Sequence, residues 1–336
     1  METVMTSLPW LTEWLARVAP LVAGKHHAWL LTGRAGDGLR EAGRALAQAL
    51  LCERPQQGRG CGACSSCGWF LGGVHPDCRI VSLDESDEET LRLPTIKVQA
   101  ARSAIDFAQL SGESARGRVV LVDPADALTT ESGNAILKAV EEPPALTRWL
   151  LLSERPARIL PTLRSRALRL PLPRPALAEA RQYLAACGAD AAAIDEALRI
   201  HAGAPLAAAR ELAEGAALAP IRARFFDELS QPSRLPALAW GQWVESGARA
   251  DRRERFVALL RWLLLWLTDW SRFRAGVATR LIPAATLQAV APTLHPAEAL
   301  RYHRRILRTL SMPDTTLSAR LQVEVILLEF RAVFSR

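Results

Sequence analysis

Lysine is the residue this chain largely does without: Lys25, Lys97 and Lys138 are the only three among 42 basic side chains in 336 residues. The arginines that make up the rest are scattered through Ala-rich text, as a compositional bias produces, and form no basic stripe. The formal charge of +7 therefore fits a member of a nucleic-acid complex better than a dedicated nucleic-acid surface, which needs clustered cations. No leader is expected either, since Met1–Pro9 has no basic start ahead of an apolar run. The most apolar window, Phe256–Trp270, is too short to cross a bilayer and carries Arg261 and Asp269; it reads as a buried helix. No repeat period or low-complexity tract is visible. These absences point away from exported, membrane-spanning and repeat architectures. They predict a soluble, cytoplasmic protein with no membrane partner, whose thiols stay reduced.

What is present is an ordinary globular composition, 49% apolar and 23% charged, long enough for two or three domains. One further lysine is missing where chemistry would need it. Leu30-Leu31-Thr32-Gly33-Arg34-Ala35-Gly36-Asp37-Gly38-Leu39-Arg40-Glu41 reads as a buried strand, a glycine turn and a helix running to about Leu51. That is the layout of a phosphate-cradling loop, G-x-x-x-x-G-K-[ST], with Gly33 and Gly38 correctly separated. Leu39 replaces the lysine that reaches the β/γ-phosphates, and Arg40 replaces the hydroxyl that holds Mg²⁺. A second nucleotide signature is damaged as well. The apolar strand Arg118–Val122 ends in Asp123, but Pro124 follows where a glutamate would polarise water, and Asp126 lies off position. Shape is kept while chemistry is lost, so tight nucleotide binding is not expected.

Cys52, Cys61, Cys64 and Cys67 form the second cluster, three of them at x₂ spacing with Gly58, Gly60, Gly62 and Gly68 around them. Thiolates in that pattern fit a tetrahedral Cys₄ zinc site, which with four protein ligands would be structural. An iron–sulfur cluster and free thiols are the alternatives. His75 nearby reads as a turn residue, and Cys78 and Cys187 as small apolar residues.

Strands are expected at Arg79–Leu83, Trp149–Leu152 and Leu168–Leu172, and helices at Ser7–Val22, Thr95–Leu110 and Thr130–Glu142, with an acidic loop over Asp84–Glu89. The alternation predicts a parallel α/β sheet. Pro171, Pro173 and Pro175 mark a boundary. Beyond them only helices are expected: Ala176–Gly215, broken at Gly188 and Gly203, and then four or five more over Ala219–Arg336. Trp240, Trp243, Trp262, Trp266 and Trp270 follow helical spacing and read as core or interface packing rather than base-stacking platforms.

Together these residues resemble the delta-prime family of bacterial DNA polymerase III clamp-loader subunits, in the AAA+ class. The resemblance is carried by the altered loop Gly33–Arg40, the four cysteines, and the stretch Leu128–Pro144 with its N-A-x-L-K-x-x-E-E-P-P pattern. Leu163-Arg164-Ser165-Arg166-Ala167 matches the family's Ser-Arg-Cys motif, and Arg320–Glu324 its C-terminal signature. The family implies an AAA+ module with a zinc insertion (1–172, insertion about 52–78), a helical lid (173–215) and a helical collar (216–336). It implies a subunit that does not hydrolyse ATP, in a five-membered ring with gamma/tau-type ATPases and a delta subunit, acting on the sliding clamp and primer–template DNA through that complex. Arg166 maps onto an arginine finger that serves the neighbour's ATP, with Ser165 beside it. Two departures stand out: Ala167 replaces the motif cysteine, and Leu206 replaces a lid arginine that reaches the γ-phosphate in active members. A weakly active motor ATPase and a zinc-bearing DNA-binding module are the rival readings.

Overall fold

The computed structural model describes residues 8–83, 95–110, 116–144, 146–214, 218–246, 248–290, 292, 294–311 and 318–335. The acidic loop expected at Asp84–Glu89 lies outside them. Two compact units emerge. One holds the sheet and the chain up to Ile194 together with Gly203–Ala209; the other holds Asp195–Ala202 and Arg210–Arg336. The segment expected as a lid, 173–215, is thus divided between the two units.

The first unit begins with α1 (Pro9–Val22), β1 (Ala28–Thr32) and α2 (Leu39–Leu51). It continues through α3 (Ser65–Leu71), β2 (Cys78–Val81), α4 (Val98–Gln109), β3 (Arg118–Val122), α5 (Thr130–Glu141), β4 (Thr147–Ser153), α6 (Pro161–Arg166) and β5 (Leu168–Pro171). The five strands form one parallel sheet in the order β2-β3-β4-β1-β5. β1, β3 and most of β4 are buried on both faces, which is why they read as continuous apolar runs instead of alternating ones. Period-two geometry then sorts their side chains into two cores. Trp29, Leu31, Val119, Leu121, Leu150 and Leu152 face α1 and α2. Leu30, Val120, Val122, Trp149 and Leu151 face α4, α5 and α6. α5 starts where the sequence indicates, with the Thr129 hydroxyl accepting the Ser132 N–H as an N-cap. The first unit is therefore the expected α/β module, with helices on both faces of a parallel sheet.

Helices α7 (Leu177–Ala186), α8 (Ala191–Ile200) and α9 (Pro205–Glu214) follow. Next come α10 (Ala219–Leu229), α11 (Ala237–Glu245), α12 (Arg249–Arg274), α13 (Ala284–Gln288), α14 (Pro296–Ser311) and α15 (Ala319–Phe334). Among the described residues this makes six helices after Ala219, where four or five were expected. The additional one, α13, spans five residues and is too short to show a helical period. Among the described residues no strand follows β5, and no helix is long and apolar enough to cross a membrane.

The tryptophans of the second unit pack inward. Trp240, Trp266 and Trp270 are fully buried among Phe225, Phe330 and Phe334. Trp266 meets Phe330 edge-on at 5.3 Å, and Phe330 stacks on Phe334 at 4.6 Å. Asp269, inside the apolar run of α12, is 1% exposed. Its carboxylate accepts the backbone N–H groups of Arg280, Leu281 and Ile282 at 2.6–3.1 Å, holding the following loop against the helix.

Candidate functional site

The strand, glycine turn and helix expected over Leu30–Leu51 are present. β1 leads into Gly33, Gly36 and Gly38 both take positive φ, and α2 opens at Leu39. The loop is packed by the chain's own residues, however. A Cβ on Gly36 would lie 2.6 Å from the Ala207 Cβ, and the Gly36 carbonyl accepts the Leu206 N–H at 3.0 Å. Trp10 Nε1 donates to the Asp37 carbonyl at 2.8 Å. Leu39 is buried in the apolar core facing α1 and offers no group that could hold a phosphate.

The loop's arginines are paired internally. Arg34 grips Asp37 through Nε and Nη2 at 3.2 and 2.9 Å. Arg40 Nε donates to the Asp123 carboxylate at 2.6 Å. The guanidinium thus neutralises the acid that in a P-loop ATPase would orient Mg²⁺. The pair joins residues 83 positions apart, a contact the sequence does not reveal.

Asp126 is buried in the short turn Ala125–Ala127 that follows β3, accepting from Ser153 Oγ and Arg155 Nε, each at 2.8 Å. Burial raises the neighbouring Glu154 carboxyl above its ordinary value; Asp126 adds to the rise and Arg155 opposes it. The acids at the carboxyl ends of β3 and β4 are therefore either neutralised by arginine or pushed toward the neutral form. The sequence singles out Asp126 but not its network, whose other members, Ser153 and Arg155, lie 27 and 29 positions away at the end of β4.

Arg166 is the last residue of α6, with Pro161 at the helix start fixing its direction. Its Nη1 donates to the Thr162 carbonyl at 3.1 Å, and its Nε is paired with Glu141. Ser165 Oγ donates to the same Thr162 carbonyl at 2.9 Å and so caps the turn.

The four cysteines converge from three places: Cys52 at the end of α2, Cys61 in the connecting turn, and Cys64 with Cys67 at the start of α3. Their Sγ atoms all lie within 4.8 Å of one another, close enough to hold a metal ion. Cys52 and Cys64 Sγ are 3.8 Å apart. A tetrahedral ion with bonds of about 2.3 Å to sulfur needs an edge of about 3.8 Å, whereas a disulfide needs about 2.0 Å. Backbone N–H groups point at the sulfurs: Arg54 and Cys61 donate to Cys52, and Cys67 donates to Cys64. Bonds from the Ala63 and Cys64 amides bring the Cys61 thiol down to about 6, while burial pushes Cys67 up to about 12. The donor set fits zinc.

His75 is not a ligand. Its Nδ1 accepts the Asp77 N–H at 3.0 Å, so Nε2 carries the proton and meets Ser66 Oγ at 2.9 Å. Ser66 passes the chain on to the Leu51 carbonyl at 2.8 Å, tying the end of α2 to α3. This bears out a turn role for His75. Cys187, expected as a small apolar residue, is instead exposed at the end of α7.

A family model described as "DNA polymerase III, delta subunit" matches residues 23–176. DNA polymerase III subunit delta' of Escherichia coli (strain K12) is 33% identical over 277 residues, 80% of this chain and 78% of that one. The Pseudomonas aeruginosa subunit delta' is 36% identical over 191 residues, so that the chain spans 56% of that relative's length. DNA polymerase III subunit tau of Salmonella typhimurium is 35% identical over 147 residues, 44% of this chain and 22% of that one.

Proposed function

Because the chain belongs to the DNA polymerase III subunit delta' family, we propose that it is a clamp-loader subunit that hydrolyses no ATP of its own and lends Arg166 to a neighbour's. The observation that carries this reading is the Arg40–Asp123 pair beside a buried Leu39, since it spends the metal-orienting acid on an internal cation. Four positions speak against hydrolysis by independent routes: Leu39, Arg40, Pro124 and Leu206. A single compensating residue could not restore all four roles.

In this reading the chain sits in a five-membered ring with gamma/tau-type ATPases and a delta subunit in the cytoplasm, and acts on the sliding clamp and primed DNA through that assembly. The tau relative, similar over 147 residues of this chain, supports motor subunits of that type as neighbours. Arg166 suits the task chemically. A guanidinium is always charged and forks onto phosphoryl oxygens, and such fingers contribute roughly 10³–10⁵ in rate. Cys52, Cys61, Cys64 and Cys67 would hold zinc, which supplies a cross-link between α2, the turn and α3. With all four positions filled by protein the ion is structural.

Calorimetry of the purified chain with Mg-ATP tests the reading. No saturable heat is expected at micromolar to sub-millimolar nucleotide. A stoichiometric micromolar site would overturn it in favour of a motor ATPase.

A further inference from the structure

The Glu141-Glu142-Pro143-Pro144 run closes the motif that begins at Asn134, and of its acids only Glu141 has a partner described so far, Arg166. Glu141 closes α5 and pairs with Arg166 Nε. Helix stability does not explain an acid there, because the carboxyl end of a helix carries partial negative charge and disfavours carboxylates. Nor does the pair add much to folding. Arg166 and Glu141 side chains are 41% and 36% exposed, and ion pairs so open to solvent contribute little to stability.

The pairing does define which donors of the guanidinium are engaged. Glu141 takes Nε and the Thr162 carbonyl takes Nη1, with Ser165 Oγ at a long 3.5 Å from the same nitrogen. Nη2, with two N–H groups, makes no hydrogen bond among the described residues. The support beneath this arrangement is packed. Ile136 and Val140 of α5 share a core with Leu163 of α6. Gly133 lets the helices approach, since a Cβ there would lie 2.6 Å from the Leu160 side chain. Pro143 cannot continue the helix, so α5 ends with Glu141 at its edge.

We propose that Glu141 is a positioning residue for Arg166: together with the Thr162 carbonyl it brackets the guanidinium by Nε and Nη1 and leaves Nη2 ready for a phosphoryl oxygen of the neighbouring subunit's nucleotide. This rests on the reading of Arg166 as a finger. The carboxylate keeps the side chain in one orientation before the nucleotide arrives, so that no rotamer search is left for the reacting complex.

The test uses the complete clamp-loader complex rebuilt with Glu141→Ala, Glu141→Gln, Arg166→Ala and the Glu141→Ala/Arg166→Ala double variant. Assembly is checked by size-exclusion chromatography, and kcat and KM are measured for DNA-stimulated ATP hydrolysis. Glu141→Ala is expected to lower kcat on the order of ten-fold with KM unchanged. Glu141→Gln keeps an acceptor oxygen and is expected to recover most of that loss. The double variant should be no slower than Arg166→Ala alone, because both changes remove one device. Wild-type or faster turnover in Glu141→Ala, with Arg166→Ala still impaired, overturns this proposal and leaves the finger reading standing. Additive losses in the double variant overturn it as well. Unchanged turnover in Arg166→Ala overturns the finger and the bracket together.

Discussion

Asp269 in the helical unit and Asp123 in the α/β unit are each a lone acid next to an apolar run, but the two carboxylates meet different fates. Asp269 is enclosed and satisfied by three consecutive backbone amides, so its charge is consumed in shaping the α12–α13 connection. Asp123 meets the side chain of Arg40, which is 62% exposed. The same contrast holds for arginine. Arg222 in the helical unit is buried and gripped by Glu196 and Glu211, whereas Arg166 in the α/β unit stands half-exposed with donors to spare. Charges enclosed on all sides hold a fold together; charges left at the rim of a sheet are available to another molecule. In the proposed reading, the α/β unit pairs off its charges at the Gly33–Arg40 loop, while Arg166 at the end of α6 keeps Nη2 for another molecule.

The comparison fails if the helical unit's acids turn out to be dispensable. Asp269→Ala would leave three amide N–H groups without their acceptor, and a loss of about 3–5 kcal/mol is expected in urea unfolding. A loss below about 1 kcal/mol would mean that Asp269 is not the keystone of that loop.

A smaller, pH-dependent effect is expected at Glu211. The His201 ring 3.5 Å away and the Arg222 guanidinium hold its carboxyl down to about 2, from an ordinary value of 4.5. A depressed carboxyl contributes stability above its unfolded-state value and loses it as the pH falls toward the folded one. The thermal midpoint of the wild type should therefore fall relative to Glu211→Gln as the pH is lowered from 4.5 toward 2, and the gap between them should close. Parallel profiles for the two proteins would remove Glu211 from the list of acids spent on folding.

The smallest effect is expected at the loop. Arg40→Ala removes an exposed pair and should change stability by about 1 kcal/mol or less. A larger loss would place Arg40 among the folding charges and blur the contrast between the units.

Much of this was legible in the chain. Strands buried on both faces announce themselves as runs such as Arg118–Val122, and the x₂ cysteine spacing and the loop's missing lysine carry their chemistry in the residue types. Contacts between distant residues were not legible. Arg40 with Asp123, Ser66 with His75 and Glu141 with Arg166 each depend on how elements pack, and no local pattern encodes them. Asp269 could have been suspected as a single acid in an apolar helix, but its partners come from an irregular loop without a sequence signature. α13 was missed because five residues complete little more than one helical turn.

The central claim is that phosphate chemistry has moved from Gly33–Arg40 to Arg166. Its most direct test is DNA-stimulated ATP hydrolysis by the rebuilt complex, with Arg40→Ala and Arg166→Ala measured side by side. The account predicts wild-type turnover for Arg40→Ala and, for Arg166→Ala, a loss approaching 10³-fold at the one ATP site that it serves. Loss of turnover in Arg40→Ala with Arg166→Ala unaffected would contradict it.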